Sequence, residues 1–458
     1  MKRHRRFQLA TIVVALLATF VLVMPSRAAE PMPEIGPLAE YVAQPDASYG
    51  WTKLHEGAIG GTDYCELRLT SQTWKDIVWK HQLFVIRPKS VKADSHHALL
   101  FIAGGRWRDE YDQANGPTRL PREATLFATL AEQIGTPIAV LLQVPHQPIL
   151  GDRYEDQAIA YTFAQYLKTG DEQWPLLLPM VKSAVRGMDA ISDFAAEQWK
   201  LDVKTFTVTG ASKRGWTTWL TGAVDPRATA IAPMVIDMLN MATQMDHQKK
   251  TFGQFSEQID DYTRLGLQDR LKTPAGKSLQ AIVDPFSYRE RLSQPKLILL
   301  GTNDAYWPLD AANLYWDQLK GPKYLLYVPN NGHGLNDYAR IAGSLNALHQ
   351  HTARGKRLPQ MKWDFQEEAG KLQLQVNSDI APDQVRAWMA KSPTRDFRKA
   401  TWYSLDCRRD GETFTHQLET PTDGYAALFG EAVFSRDEPL AYFLSTNVRI
   451  IGGEATGE

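Results

Sequence analysis

The sequence predicts an α/β domain with a mostly parallel sheet, followed by an all-β region. Three patterns carry that prediction. Apolar runs with strand character alternate with helix-period segments up to about residue 350. From Lys362 onward helix signals stop, and short β-rich runs separated by turn residues take over. A strand also runs directly into a helix around Ser212 through small residues, Thr-Val-Thr-Gly-Ala-Ser-Lys-Arg-Gly.

The elements follow in order. The first residues form a basic and then apolar segment: Lys2, Arg3, Arg5 and Arg6 precede the nearly unbroken apolar run Leu9 to Met24. Ser26-Arg27-Ala28 places small residues at a cleavage site, so 1–28 reads as a secretory signal peptide and the mature chain as periplasmic or secreted. After cleavage no stable membrane span is expected. Residues 30–60, rich in Pro and Gly, read as an extended leader. Tyr64–Leu69 and Gln82–Arg87 alternate like antiparallel strands. His97–Ile102 and Pro137–Val144 read as buried strands flanking a helix over Glu123–Ile134. Helices are expected over Tyr154–Leu167 and Met180–Trp199, the second with Val181, Ala184, Val185, Met188 and Ile191 on one face. Val203–Thr209 is a strand and Lys213–Gly222 a helix start. Ala230–Ile236, Pro295–Leu300 and Tyr324–Val328 are further strands, with a helix over Leu309–Leu319.

Between the strands ending near Asp237 and starting at Pro295, the chain is too long for a plain crossover. Residues 238–294 read as a helical cap over the strand ends; a packed excursion away from any site is the alternative. Beyond Arg354-Gly-Lys-Arg-Leu-Pro, the runs Leu372–Val376, Val385–Met389, Thr401–Leu405, Thr413–Leu418, Tyr425–Phe434 and Leu440–Ile450 suggest an immunoglobulin-type sandwich over 358–458.

Composition narrows the partners. With 43% hydrophobic and 22% charged residues and a formal net charge of −1, the chain is an ordinary globular protein without a basic stripe, so nucleic acid is not expected. The two cysteines, Cys65 and Cys407, either join the two ends of the fold by a disulfide or are separate buried thiols. His96-His97 and His349-x-His351 lack Cys or carboxylate partners at ligand spacing and read as surface residues, so no metal or other cofactor is expected. Oligomeric state is not legible.

The chemistry centres on Ser212. A serine on a sharp strand-to-helix turn has its hydroxyl held above the sheet. Asp304 follows the run Leu297–Leu300, and His333 follows Leu325–Val328, between two glycines. Chain order Ser, Asp, His, each just past a strand, is the α/β-hydrolase arrangement of nucleophile, orienting acid and base. Asp237, past the preceding strand, is a rival acid. Backbone N–H groups of Lys213 and of Gly105 or Arg106 are the candidate oxyanion donors. Trp107, Trp307 and Arg106 are candidate pocket residues, and Trp216 is expected beneath the turn. Arg214 stands where such a turn usually has a small residue, and Gly215 lies three rather than two places after the serine. Asp109, Asp152, Glu155, Asp260 and Asp261 could line an acidic pocket for a cationic peptide.

The segments Gly210–Leu220, Val-Ile-Asp-Met-Leu-Asn at 235–240, Gly-Thr-Asn-Asp-Ala-Tyr-Trp at 301–307, Pro-Asn-Asn-Gly-His at 329–333 and Arg395-Asp-Phe-Arg398 together resemble the PhoPQ-activated pathogenicity-related protein family. The resemblance implies a secreted α/β-hydrolase with an appended β domain, a bacterial regulon linked to virulence and antimicrobial-peptide resistance, and kinship to secreted autocrine repressors of proliferation. It implies no particular substrate. The turn is also similar to that of glucuronoyl esterases, with Lys213 in place of their Arg. Asp284-Pro-Phe through Asp304 is similar to prolyl-oligopeptidase-type peptidases, which keeps peptides beside small molecules as substrates. A serine hydrolase is the expectation; a non-catalytic binding or signalling protein on the same fold is its rival.

Overall fold

The computed structural model describes residues 36–92, 95–113, 120, 123–435 and 440–453. The expected signal peptide, 1–28, lies outside them. Among the described residues no helix is long and apolar enough to cross a membrane.

Helix α1 (Gly36–Ala43) leads into β1 (Gly50–Ile59), β2 (Thr62–Trp74) and β3 (Ile77–Pro88), an antiparallel meander. The reading of 30–60 as an extended leader is corrected here. Strand β1 is an exposed sheet edge whose half-buried residues alternate too weakly to announce themselves. The α/β part continues with β4 (His97–Ile102), α2 (Ala124–Ile134), β5 (Ile138–Leu141), α3 (Glu155–Thr169), α4 (Leu177–Phe194), β6 (Thr205–Ala211), α5 (Lys213–Val224) and β7 (Ala228–Met234). Helices α6 (Met241–Phe252), α7 (Asp260–Thr263), α8 (Leu267–Arg270) and α9 (Pro274–Val283) fill the insertion before β8 (Lys296–Gly301), β9 (Lys323–Val328) and α10 (Tyr338–Ala353).

The sheet order is β1-β2-β3-β5-β4-β6-β7-β8-β9. Strands β5, β4, β6, β7, β8 and β9 are parallel, and β3 meets β5 antiparallel. Strand β8 is buried along its whole length, as a strand covered on both faces must be. Helices α2 and α10 share a core with Leu99, Ile138, Val140, Leu297 and Leu299. Helix α4 lies on the other face, where Gly187 brings it against Leu141, the neighbour that alternates with Val140. This is an α/β-hydrolase-like fold. The Ser212 turn, the Asp304 loop and the His333 loop all leave the same, C-terminal ends of parallel strands.

Two helix expectations need correction. Leu309–Leu319 forms two short 3₁₀ turns, Ala311–Leu314 and Trp316–Gln318, broken at Tyr315, where φ is −138°. That break turns the Tyr315 ring into the core. Helix α10 is additional to the expected elements; Ile341, Leu345 and Leu348 give it an apolar face at helical spacing.

The C-terminal region supplies β10 (Met361–Glu368), β11 (Lys371–Ser378), β12 (Gln384–Ser392), β13 (Tyr403–Asp406), β14 (Arg408–Asp410), β15 (Thr413–Glu419), β16 (Gly424–Phe434), β17 (Tyr442–Ser445) and β18 (Arg449–Gly453). Expected as a separate immunoglobulin-type domain, it instead extends the central sheet. Strand β17 pairs with β9 at Ser445–Leu325, the Tyr327 N–H donates to Ser445 Oγ at 3.0 Å, and the sheet runs on through β16, β12 and β13. A four-stranded sheet, β10-β11-β15-β14, packs on it; Gly430 leaves room there for Leu374 and Val376.

Candidate active site

Ser212 joins β6 to α5 with φ +58° and ψ −124°, a conformation that strains any residue with a Cβ. Its neighbours hold it there. The Ser212 N–H donates to the Met234 carbonyl at 2.8 Å, and the Ser212 carbonyl accepts from Trp216 N–H at 3.0 Å. Gly210 and Gly215 let the helix start press on the strands. A Cβ on Gly210 would stand 2.9 Å from the Ile102 carbonyl oxygen, and one on Gly215 2.8 Å from that of Met234. The later glycine therefore still permits the close approach.

Asp304 and His333 meet beyond the ends of β8 and β9. His333 Nδ1 lies 2.9 Å from Asp304 Oδ2 and 3.1 Å from Oδ1. Gly301 makes this possible: a Cβ there would stand 2.4 Å from the Asn331 carbonyl oxygen, so β8 passes directly beneath the histidine loop. Asp304 Oδ1 also accepts from the Tyr306 N–H at 2.9 Å, and the Tyr306 ring stacks on His333 at 4.1 Å. His333 Nε2 is buried and makes no hydrogen bond. It borders a cavity that Ser212 and Lys213 also line.

The cavity runs from these residues under the insertion. Residues of α6, α8 and α9, from the insertion, form its far wall. Trp307 and Trp216 line it as well; Arg106 and Trp107 are not among its lining residues. Arg106 is exposed, and Trp107 packs its ring against His146 and Tyr111.

Residues 38–398 match the family model described as PhoPQ-activated pathogenicity-related protein. The chain belongs to that family. It is 34% identical over 433 residues to autocrine proliferation repressor protein A of Dictyostelium discoideum, covering 87% of this chain and 86% of the relative. It is 27% identical over 154 residues to acetyl esterase Axe7A of Xylanibacter ruminicola, covering 33% of this chain and 31% of that enzyme. Among solved structures, acetyl xylan esterase 1 from Thermoanaerobacterium sp. JW/SL YS485 aligns with a TM-score of 0.44 at 15% identity, covering 67% of this chain and 90% of that one.

In this PhoPQ-related chain the arginine of the turn has a partner that the sequence did not reveal. Arg214 makes a two-point contact with Glu155, at 2.6 and 2.7 Å, and its Nε donates to the Val144 carbonyl at 2.6 Å. Burial pushes the Glu155 carboxyl up, but Arg214 outweighs it and holds the pKa at about 2. Gln147 then donates both to Glu155 and to the Gly105 carbonyl. Gly104 lies against the guanidinium, where a Cβ would stand 2.3 Å from Nη2, and Gly105 sits at φ +125°. The Arg214–Glu155–Gln147 chain thus braces the loop proposed to carry the second oxyanion donor. Burial pushes the Lys213 amine down, and Asp156, 2.7 Å away, reverses this and raises it. Glu155 is therefore committed to cations, Asp260 pairs with Arg264, and none of Asp109, Asp152, Glu155, Asp260 and Asp261 lines the cavity. These five carboxylates do not gather into an acidic lining of the cavity.

The motifs of the resemblance place supports around Asp304 and His333. Asn303 Nδ2 donates to the Ala400 carbonyl at 2.7 Å, with longer contacts to the carbonyls of Phe397 and Arg398. Asn330 exchanges two hydrogen bonds with the Trp402 backbone, at 2.8 and 2.9 Å. The β-rich region therefore grips the loops on which Asp304 and His333 sit. Asn303→Ala is expected to lower kcat about 10- to 100-fold at nearly constant KM, because small displacements of catalytic groups are costly. Steady-state kinetics on any substrate turned over checks this.

The rival acid has another role. Asp237 Oδ1 accepts from Tyr315 OH at 2.6 Å, while His333 Nδ1 is taken by Asp304. Burial raises the Asp237 pKa to about 7. An unfolded chain holds an aspartate near 3.9. Between those two pH values the folded chain binds the extra proton, so this group's contribution to stability falls as pH rises through that window. Asp237→Asn removes that loss. The variant is expected to gain stability over the wild type at pH 8 relative to their difference at pH 5, by urea unfolding at both.

Cys65 and Cys407 are both buried and unbonded. Cys65 lies on β2, and Cys407 binds the backbone of β12 through its N–H. Those strands are roughly ten inter-strand spacings of about 4.8 Å apart in the sheet order, far beyond disulfide reach. His97 and His349 are not surface residues. Their rings pack tilted, with centroids 4.6 Å apart, in the core and share the Thr207 hydroxyl. Burial lowers the His97 pKa to about 4. Among the described residues no group of three or more His, Cys, Asp or Glu is placed to hold a metal ion.

Proposed function

We propose that the protein is an exported serine hydrolase that cleaves an ester or amide bond through an acyl-enzyme. The observation that carries this reading is His333, with Nδ1 held by Asp304 and a buried, unpartnered Nε2 at the cavity that Ser212 lines. Ser212 Oγ attacks the carbonyl carbon while Nε2 takes its proton. The tetrahedral oxyanion is met by the N–H of Lys213, the first residue of α5, and by that of Gly105 or Arg106. The imidazolium then gives its proton to the departing alcohol or amine, leaving an acyl ester on Ser212. Water, deprotonated by the same nitrogen, releases the acid. Asp304 fixes the tautomer and balances the charge of His333 throughout. Export rests on the 1–28 segment, and a link to virulence rests on the family's description as pathogenicity-related.

A second reading has one observation in its favour. The relative that is 34% identical is named for repression of proliferation, which fits a secreted signalling or binding protein that kept the fold without turnover. Chromogenic short-chain esters, suggested by the acetyl esterase relative, separate the two. Turnover that falls at least 10³-fold in Ser212→Ala supports the hydrolase. Equal rates in wild type and variant, or a folded wild type inert to every ester and anilide tried, favour the second reading.

A further inference from the structure

We infer that the substrate presents an apolar group, bulkier than acetyl, to the cavity beneath the cap, beside the bond that Ser212 attacks. This rests on the hydrolase reading above. The cavity wall is built from Trp216, Met238, Met241, Met245, Ile259 and Leu271. Its charged groups are already spent. Asp156 accepts from Lys213 Nζ at 2.7 Å through one oxygen and from Tyr262 OH at 3.0 Å through the other. Of the wall's fully buried polar atoms, besides His333 Nε2, Trp307 Nε1 and Gln268 Oε1 have no partner, and the Ser212 and Tyr306 hydroxyls add to its short polar set. So few polar groups cannot meet the hydroxyls of a sugar ring, and burying those hydroxyls without partners is costly. An alkyl, branched or aromatic group loses nothing by entering and gains from leaving water. Three methionines in the wall give it unbranched, rotatable side chains that fit more than one apolar shape.

The cap sets the depth. Met241 and Met245 stand on α6, and Ile259 and Leu271 pack with Met245 in a small core of the cap itself. A larger residue at 241 therefore shortens the cavity from the cap side, away from Ser212.

The test compares p-nitrophenyl acetate, butyrate and hexanoate on the wild type, Met241→Trp and Met241→Ala, and a separate sample of each protein is treated with diisopropyl fluorophosphate. The wild type is expected to show kcat/KM at least tenfold higher for hexanoate than for acetate. Met241→Trp lowers that ratio at least tenfold, whereas Met241→Ala keeps it, and all three are modified by the fluorophosphate. Modification with acetate as the best ester, or a ratio untouched by Met241→Trp, overturns the apolar-pocket inference and leaves the hydrolase reading standing. No modification of the folded wild type overturns both.

Discussion

Asp304→Asn lowers kcat about 10⁴-fold while the protein stays folded. The size of the effect follows from the tautomer. Asp304 takes the His333 Nδ1–H with both oxygens, at 2.9 and 3.1 Å, and is itself fixed by the Tyr306 N–H. An amide in its place can offer an N–H to Nδ1, which moves the ring proton to Nε2. Nε2 then cannot accept the proton of Ser212. Asp237→Asn is the control. Its carboxyl faces Tyr315, so kcat is expected to stay within about threefold of the wild type, as for a variant distant from the reacting atoms. Kinetics on one ester, with circular dichroism to verify folding, checks both. A fall of less than tenfold in Asp304→Asn means another group orients His333.

The largest stability effect is expected at Arg340. On α10, its Nε and Nη2 contact the two oxygens of Glu431 on β16 at 2.9 and 3.0 Å. Glu431 is completely buried, and its other partner is Trp388 Nε1 at 3.2 Å. Arg340→Ala strands that carboxylate in the core and is expected to cost about 3–5 kcal/mol. The double variant Arg340→Met with Glu431→Leu removes both charges and restores apolar volume, so it is expected to cost much less than the single change. Urea unfolding of the two singles and the double measures the difference. If the double is as unstable as Arg340→Ala, the penalty comes from lost packing and not from the stranded charge.

What the sequence revealed depended on whether a feature was local. The Ser212 turn is written in consecutive residues, a strand, two small residues and a helix start. Asp304 and His333 were legible because each ends an apolar run that forms a buried strand. The Arg214–Glu155 contact was not, because it joins segments far apart in the chain and depends on where α3 begins. The merging of the β-rich region with the central sheet hangs on one registered pair, Ser445–Leu325, and on Ser445 Oγ, which no local pattern encodes. Leu309–Leu319 has helical spacing, but Tyr315 leaves it to reach Asp237. The burial of the two histidines has a local signal. His97 opens an apolar strand, and His349 stands four residues after Leu345 on the inner face of α10.

The central claim is that Ser212 is an activated nucleophile, and the most direct measurement is covalent labelling. The purified mature protein is treated with a fluorophosphonate probe, and the modified residue is located by peptide mass spectrometry. One adduct at Ser212, absent from Ser212→Ala and lost in His333→Ala, is the expected result. A folded wild type that takes up no probe, or takes it up equally in His333→Ala, contradicts it.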